Sequence, residues 1–78
     1  MNKMKNQYTL KLFRKNDNSD HNWEFIGPYN NKKKAKKVGI DFVRDTEEYD
    51  RVEMFDDNKE LIFQAWTNKK SLYKIDFN

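Results

Sequence analysis

The sequence predicts a small α+β domain of ββαββ(β) order, an antiparallel sheet with one helix packed on one face. Three observations carry this. Apolar residues alternate with polar ones in several short segments, the period of a half-buried strand. One stretch, and only one, shows apolar residues at helical spacing. The clusters that break the chain are short, so neighbouring strands pair as hairpins.

The first strand is Tyr8-Thr9-Leu10-Lys11-Leu12-Phe13, with Tyr8, Leu10 and Leu12 on one side. The preceding residues, 1–6, are polar and expected to fray. The turn-rich run from Asn16 to Asn22 follows. Trp23-Glu24-Phe25-Ile26 reads as the second strand, pairing with the first and stopped by Gly27-Pro28. The helix comes next, capped by Asn30 or Asn31. Ala35, Val38, Gly39, Phe42 and Val43 form its apolar stripe, and Lys33, Lys37, Asp41 and Arg44 lie opposite. Glycine costs about 1 kcal/mol of helix propensity relative to alanine. Gly39 on the packing stripe therefore implies close approach to the sheet. Ile40 falls outside the stripe, and the helix should end near Asp45 or Thr46.

Arg51-Val52-Glu53-Met54-Phe55 is the third strand, with Val52 and Met54 inward. Asp56-Asp57-Asn58-Lys59 is a hairpin turn in which Asn58 is the expected residue at positive φ. Glu60 to Thr67 is the fourth strand, with Leu61, Phe63 and Ala65 on one face and Ile62 and Trp66 on the other. After Asn68-Lys69-Lys70, the alternation of Tyr73, Ile75 and Phe77 suggests a fifth short strand or a docked tail. One helix covers one face of such a sheet. Phe13, Ile62, Trp66 and Tyr73 then fall on the uncovered face, which is either an exposed aromatic contact surface, closed in one version by a homodimer, or is covered by the tail or by curling of the sheet.

Composition narrows the class. Seventy-eight residues make one domain, 1–78, of modest core. There is no cysteine, so disulfides and thiolate metal sites are excluded. No apolar run is long enough for a membrane span or a signal peptide, and the expectation is a cytoplasmic protein. Twelve of the residues are aromatic, enough for a core despite 37% charged residues. Thirteen lysines against three arginines, with ten asparagines, is also the composition expected from an AT-rich genome.

Catalytic signals are sparse. His21 is the single histidine and sits in the polar loop, where no cysteine can form a nucleophilic pair with it. Asp17-Asn18-Ser19-Asp20 lacks the glycine and flanking helices of a calcium loop. Glu53 beside Asp50 or Asp56 would need a pocket that raises one pKa, and no pocket-building element is visible. Gly27 and Gly39 stand alone, so no phosphate-cradling loop exists. The expectation is no catalytic residue, no metal and no cofactor.

Charge is segregated along the chain. Residues 1–44 carry 11 basic and 4 acidic side chains, and residues 45–60 carry 8 acidic and 2 basic. Two binding readings follow. In the first, Glu47, Glu48, Tyr49, Asp50, Glu53, Asp56 and Asp57 form an acidic hairpin that docks on a basic protein partner, with the exposed aromatic strand beside it. In the second, Lys32, Lys33, Lys34, Lys36 and Lys37 at the helix start bind nucleic acid or phosphate directly. Cations are disfavoured at a helix N-terminus by a few tenths of a kcal/mol each, which makes their presence there informative. Size, lysine and asparagine content, aromatic content and lack of catalytic groups together resemble accessory proteins of phages and mobile elements. That resemblance implies action by stoichiometric occlusion and not by turnover of a substrate, and an inhibitor of a nucleic-acid-handling machine is one form the protein-binding reading takes.

Overall fold

The computed structural model describes residues 7–15 and 22–77. The frayed segment expected at 1–6, His21 and the Asp17–Asp20 loop lie outside the described residues. The elements are β1 (Tyr8–Arg14), β2 (Trp23–Tyr29), α1 (Lys32–Asp45), β3 (Tyr49–Phe55), β4 (Leu61–Asn68) and β5 (Ser71–Asp76). All strands are antiparallel in one open sheet of order β2-β1-β3-β4-β5. The helix lies across one face, chiefly over β3, β4 and β1.

The core is the layer between helix and sheet. Leu10 and Leu12 from β1, Val52 and Met54 from β3, and Phe63 and Ala65 from β4 meet Ala35 and Val43 of the helix, all buried. Val38, Ile40 and Phe42 pack around them. The expected stripe is the stripe observed, and Ile40 also touches the core from its flank. No charged side chain is buried among the described residues.

Asn31 is the N-cap: its side-chain oxygen accepts from the Lys34 N–H at 3.0 Å. The cap offsets a first turn that contains no acid. Thr46 closes the other end, its hydroxyl donating to the Phe42 carbonyl at 2.6 Å. At Gly39 the helix lies close against the sheet. A Cβ there would stand 3.1 Å from Val52 Cγ2 and 3.5 Å from Leu10 Cδ2.

Several local expectations are corrected. β2 does not stop at Gly27-Pro28 but continues through it to Tyr29, with a cis Gly27–Pro28 bond and Gly27 at φ 112°. An edge strand tolerates proline because no outer partner needs its N–H. β3 begins at Tyr49, two residues early, because Tyr49 pairs with Arg14. The residue at positive φ in the β3–β4 turn is Lys59 (φ 65°), not Asn58. The Asp56 carboxylate accepts from the N–H groups of Asn58 and Glu60, and the Lys59 N–H donates to the Asp56 carbonyl, so the left-handed step falls one residue later. In β4 the register slips between Met54–Phe63 and Phe55–Leu61. This bulge sets Leu61 opposite Phe55, while Ile62 packs on the core instead of joining Trp66. β5 is a true strand, paired with β4 over its whole length.

Candidate functional site

The face of the sheet away from the helix is covered by no other element among the described residues. Directly paired residues share a face, so the ladders give its contents. One row crosses all five strands: Trp23, Phe13, Arg51, Trp66, Tyr73. The next row is Phe25, Lys11, Glu53, Gln64, Ile75. Thr9 and Phe55 begin a third. Six aromatic rings, including both tryptophans, therefore stand on one surface.

This arrangement follows from strand alternation. Each of these side chains is one residue out of phase with a core residue: Phe13 with Leu12, Arg51 with Val52, Trp66 with Ala65. The surface stays wettable because two cations lie among the rings. The Lys11 ammonium is 4.3 Å from the Trp23 ring centroid and 5.1 Å from that of Phe13. The Arg51 guanidinium is 4.8 Å from the Phe13 ring. Arg51 also donates to the Glu53 carboxylate at 2.7 Å, and Gln64 donates to the same oxygen at 3.0 Å. Trp66 and Tyr73 stack at 5.7 Å, and Trp23 meets Phe25 edge-on at 5.1 Å. Phe25 is 54% exposed and Tyr73 46%. Two shallow depressions mark the face. One of about 430 Å³ lies between Asp50, Arg51, Gln64, Trp66 and Thr67, and one of about 540 Å³ between Lys11, Phe25, Phe55 and Lys59.

The structure thus brings Phe13, Trp66 and Tyr73 into one row. Trp23, Phe25, Lys11 and Arg51 belong with them and were missed. The signal was present: once Trp23 pairs with Phe13, the alternation of β2 places Phe25 on the same face.

The acidic hairpin is not one patch. Glu47, Glu48 and Asp50 lie at the start of β3, and Asp56 and Asp57 follow its end, about 20 Å away at ordinary strand rise. Glu53 sits between them and is held by Arg51 and Gln64. Glu48 approaches Arg14 at 3.9 Å. Tyr49 is no surface contact at all. It is buried against Phe42, ring to ring at 5.7 Å, and its hydroxyl donates to Glu24. The Glu24 hydrogen bond, with burial behind it, pushes the Tyr49 hydroxyl above its ordinary pKa. The reason is the Arg14–Tyr49 pairing, which turns the ring toward the helix.

The lysine run divides as well. Lys36 reaches Asp76 of β5 at 2.5 Å and lies over the Phe63 ring, and Lys37 pairs with Asp41 at 3.2 Å. The Lys36 ammonium holds the Asp76 carboxyl below the usual carboxylate range. Lys32, Lys33 and Lys34 are exposed and have no ion-pair partner among the described residues. They stand on the helix side, across the sheet from the aromatic surface. Arg44 bridges Asp41 and Asp45 at the helix end, and its hydrogen bond lowers the Asp45 pKa.

Among the described residues no cluster of His, Cys, Asp or Glu could hold a metal ion. No helix there is long and apolar enough to cross a membrane. No family model matches the chain, and neither does any curated protein or solved structure.

Proposed function

We propose that this chain is a non-enzymatic, cytoplasmic binding protein that acts by stoichiometric contact with a protein partner through the open sheet face. An inhibitor of a nucleic-acid-handling machine of phage or mobile-element type is the specific form of this reading. One observation carries it: the uninterrupted row Trp23–Phe13–Arg51–Trp66–Tyr73 on an uncovered surface. Trp, Tyr and Arg are the residues that dominate binding energy at protein interfaces, and they do so when clustered. The acids no longer carry the reading, because they are split and partly paired.

The test is capture from a nuclease-treated native extract, followed by affinity measurement on the purified pair. Phe25→Ala and Arg51→Ala should each weaken binding by about 2 kcal/mol, roughly 30-fold, while far-UV circular dichroism stays unchanged. Folded variants that bind as tightly as the parent would refute it.

A second reading, direct nucleic-acid binding, rests on Lys32, Lys33 and Lys34 being exposed beside the helix N-terminus. It requires affinity for an oligonucleotide that falls steeply with salt, at a log–log slope of about −0.7 to −0.9 per phosphate neutralised.

A further inference from the structure

We propose that β5 is a self-association edge, and that a second copy of this chain pairs with it antiparallel about a two-fold axis at Ile75. The contact is made by the backbone of the sheet's rim, although Tyr73 and Ile75 also end the two rows of the open face.

Exposed apolar area concentrates along β5 and the residue after it. Of the four large hydrophobic side chains most exposed among the described residues, three are Tyr73, Ile75 and Phe77, at 46%, 40% and 37%. They alternate along one rim strand. An exposed, apolar edge is a template for pairing with another chain.

The two rims of the sheet differ. β2 carries Gly27 at positive φ and Pro28, which has no N–H to give, and its ladder to β1 shifts register. These features blunt an edge. β5 contains neither glycine nor proline, and its six pairs with β4 run without a shift. The Phe77 N–H donates to the Ile62 carbonyl at 3.0 Å. Inward and outward backbone groups alternate along an antiparallel strand. Residues 71, 73, 75 and 77 therefore bond β4, and Leu72, Lys74 and Asp76 turn their N–H and C=O groups outward.

β5 is also self-complementary. A two-fold pairing must match residues on the same face, which leaves few registers. Centred on Lys74, like charges would meet. Centred on Tyr73, Lys74 would face the partner's Leu72. Centred on Ile75, Lys74 faces the partner's Asp76 twice over, Tyr73 faces the partner's Phe77, and Ile75 meets the partner's Ile75. In that register Lys74 and the partner's Asp76 form the hydrogen-bonded pairs, as their outward backbone groups require. A lysine on a rim strand ordinarily discourages pairing, but here its counter-charge, Asp76, lies two residues along the same strand and would be shared with Lys36. Two copies would make one ten-stranded sheet with both open faces on the same side.

Sedimentation equilibrium from about 5 to 500 µM tests this, a span that covers weak dimers. The expected result is a rise from the 9.6 kDa monomer toward twice that mass. Lys74→Pro removes an outward N–H and no bond to β4, and should give a folded monomer. Lys74→Glu should weaken association at least tenfold at low salt. Ile75→Cys introduces the chain's single cysteine, placed where paired Cα atoms lie about 4.5 Å apart. It should form an intermolecular disulfide rapidly on mild oxidation, whereas Phe25→Cys should not. A parent protein that stays monomeric throughout overturns the proposal. So does a dimer unaffected by Lys74→Pro, which would place the contact elsewhere, the open face included.

Discussion

Replacing Gly39 with alanine sets two effects of known size against each other. In a helix interior the change should stabilise by about 1 kcal/mol, through propensity alone. The geometry opposes it. The added Cβ would lie 3.1 Å from Val52 Cγ2, 3.4 Å from Cγ1 and 3.5 Å from Leu10 Cδ2. Carbon atoms pack best at about 3.5–4.0 Å, so the closest contact is about 0.5 Å too short. Val52 is fully buried on a central strand, between Leu12 and Ala65. Its β-branched side chain has little rotamer freedom with which to yield. The alternative, lifting the helix, would loosen Ala35 and Val43. Overpacking of this kind costs about 1–3 kcal/mol. The net expectation is destabilisation of up to about 2 kcal/mol, or a fall in Tm of about 4–8 °C for each kcal/mol lost.

Urea unfolding followed by tryptophan fluorescence measures this, with an unchanged m-value showing that the denatured state is not the cause. The decisive arm is the double variant. Val52→Ala alone should cost about 2 kcal/mol, from two methyl groups at about 0.8 each and a cavity. In that background Gly39→Ala should become stabilising, because its methyl refills the space and the propensity gain is released. Gly39→Ala that raises stability by the full 1 kcal/mol in the parent would show that helix and sheet are not in tight contact there.

Three further outcomes follow from local geometry. Asn31→Ala should cost about 1 kcal/mol by deleting the acceptor of the Lys34 N–H, while Asn31→Asp should hold or raise stability; thermal unfolding reads both. Lys59→Gly should stabilise by about 0.5–1 kcal/mol, since φ 65° disfavours any residue with a Cβ, and unchanged stability would mean the turn relaxes freely. Because Lys36 lowers the Asp76 pKa, that pair supports folding above the unfolded carboxyl value near 4 and is lost as pH falls through the lower folded value. In Lys36→Met the Asp76 carboxyl, followed by carbon-detected NMR titration, should move up, and the acid limb of the stability curve should flatten.

Sequence periodicity revealed most of the fold because most of it is set locally. The stripe from Ala35 to Val43 and the alternation in β1 and β5 are direct consequences of 3.6 and 2.0 residue periods. What was hidden depends on neighbours. Nothing near Lys59 marks it as left-handed; the Asp56 carboxylate, by holding two N–H groups, shifts that step past Asn58. Gly27-Pro28 is a stop signal in isolation and is overridden because β2 is a rim strand. Ile62 changes sides through a bulge whose only cause is the β3 register. Tyr49 looked like a polar-segment aromatic, and only its pairing with Arg14 turns it inward. Half the aromatic surface was visible for the same reason: Phe13, Trp66 and Tyr73 follow from their own strands, Trp23 and Phe25 from the β1–β2 register.

Charge illustrates the difference between order in the chain and order in space. The basic first half and the acidic 45–60 segment suggest a bipolar molecule. Yet β1 and β3 are adjacent and antiparallel, so parts of the two blocks lie side by side: Lys11 pairs across from Glu53, and Arg14 reaches Glu48 as well as Glu24 of its own half. Such screened surface pairs contribute little to stability and less to long-range steering. Among the described residues Glu47, Asp50, Asp56, Asp57 and Glu60 carry no ion pair; nor do Lys32, Lys33 and Lys34, which stand on the helix side, opposite the aromatic row. A helix about 10 Å across and the sheet beneath it separate the two. A flat partner can engage one surface or the other, not both. Neutralising the three lysines and truncating Phe25 should therefore act on separate binding events, with additive effects if both occur. Strong coupling between them would require one ligand that wraps around the sheet edge, and would displace the single-face contact argued for this protein.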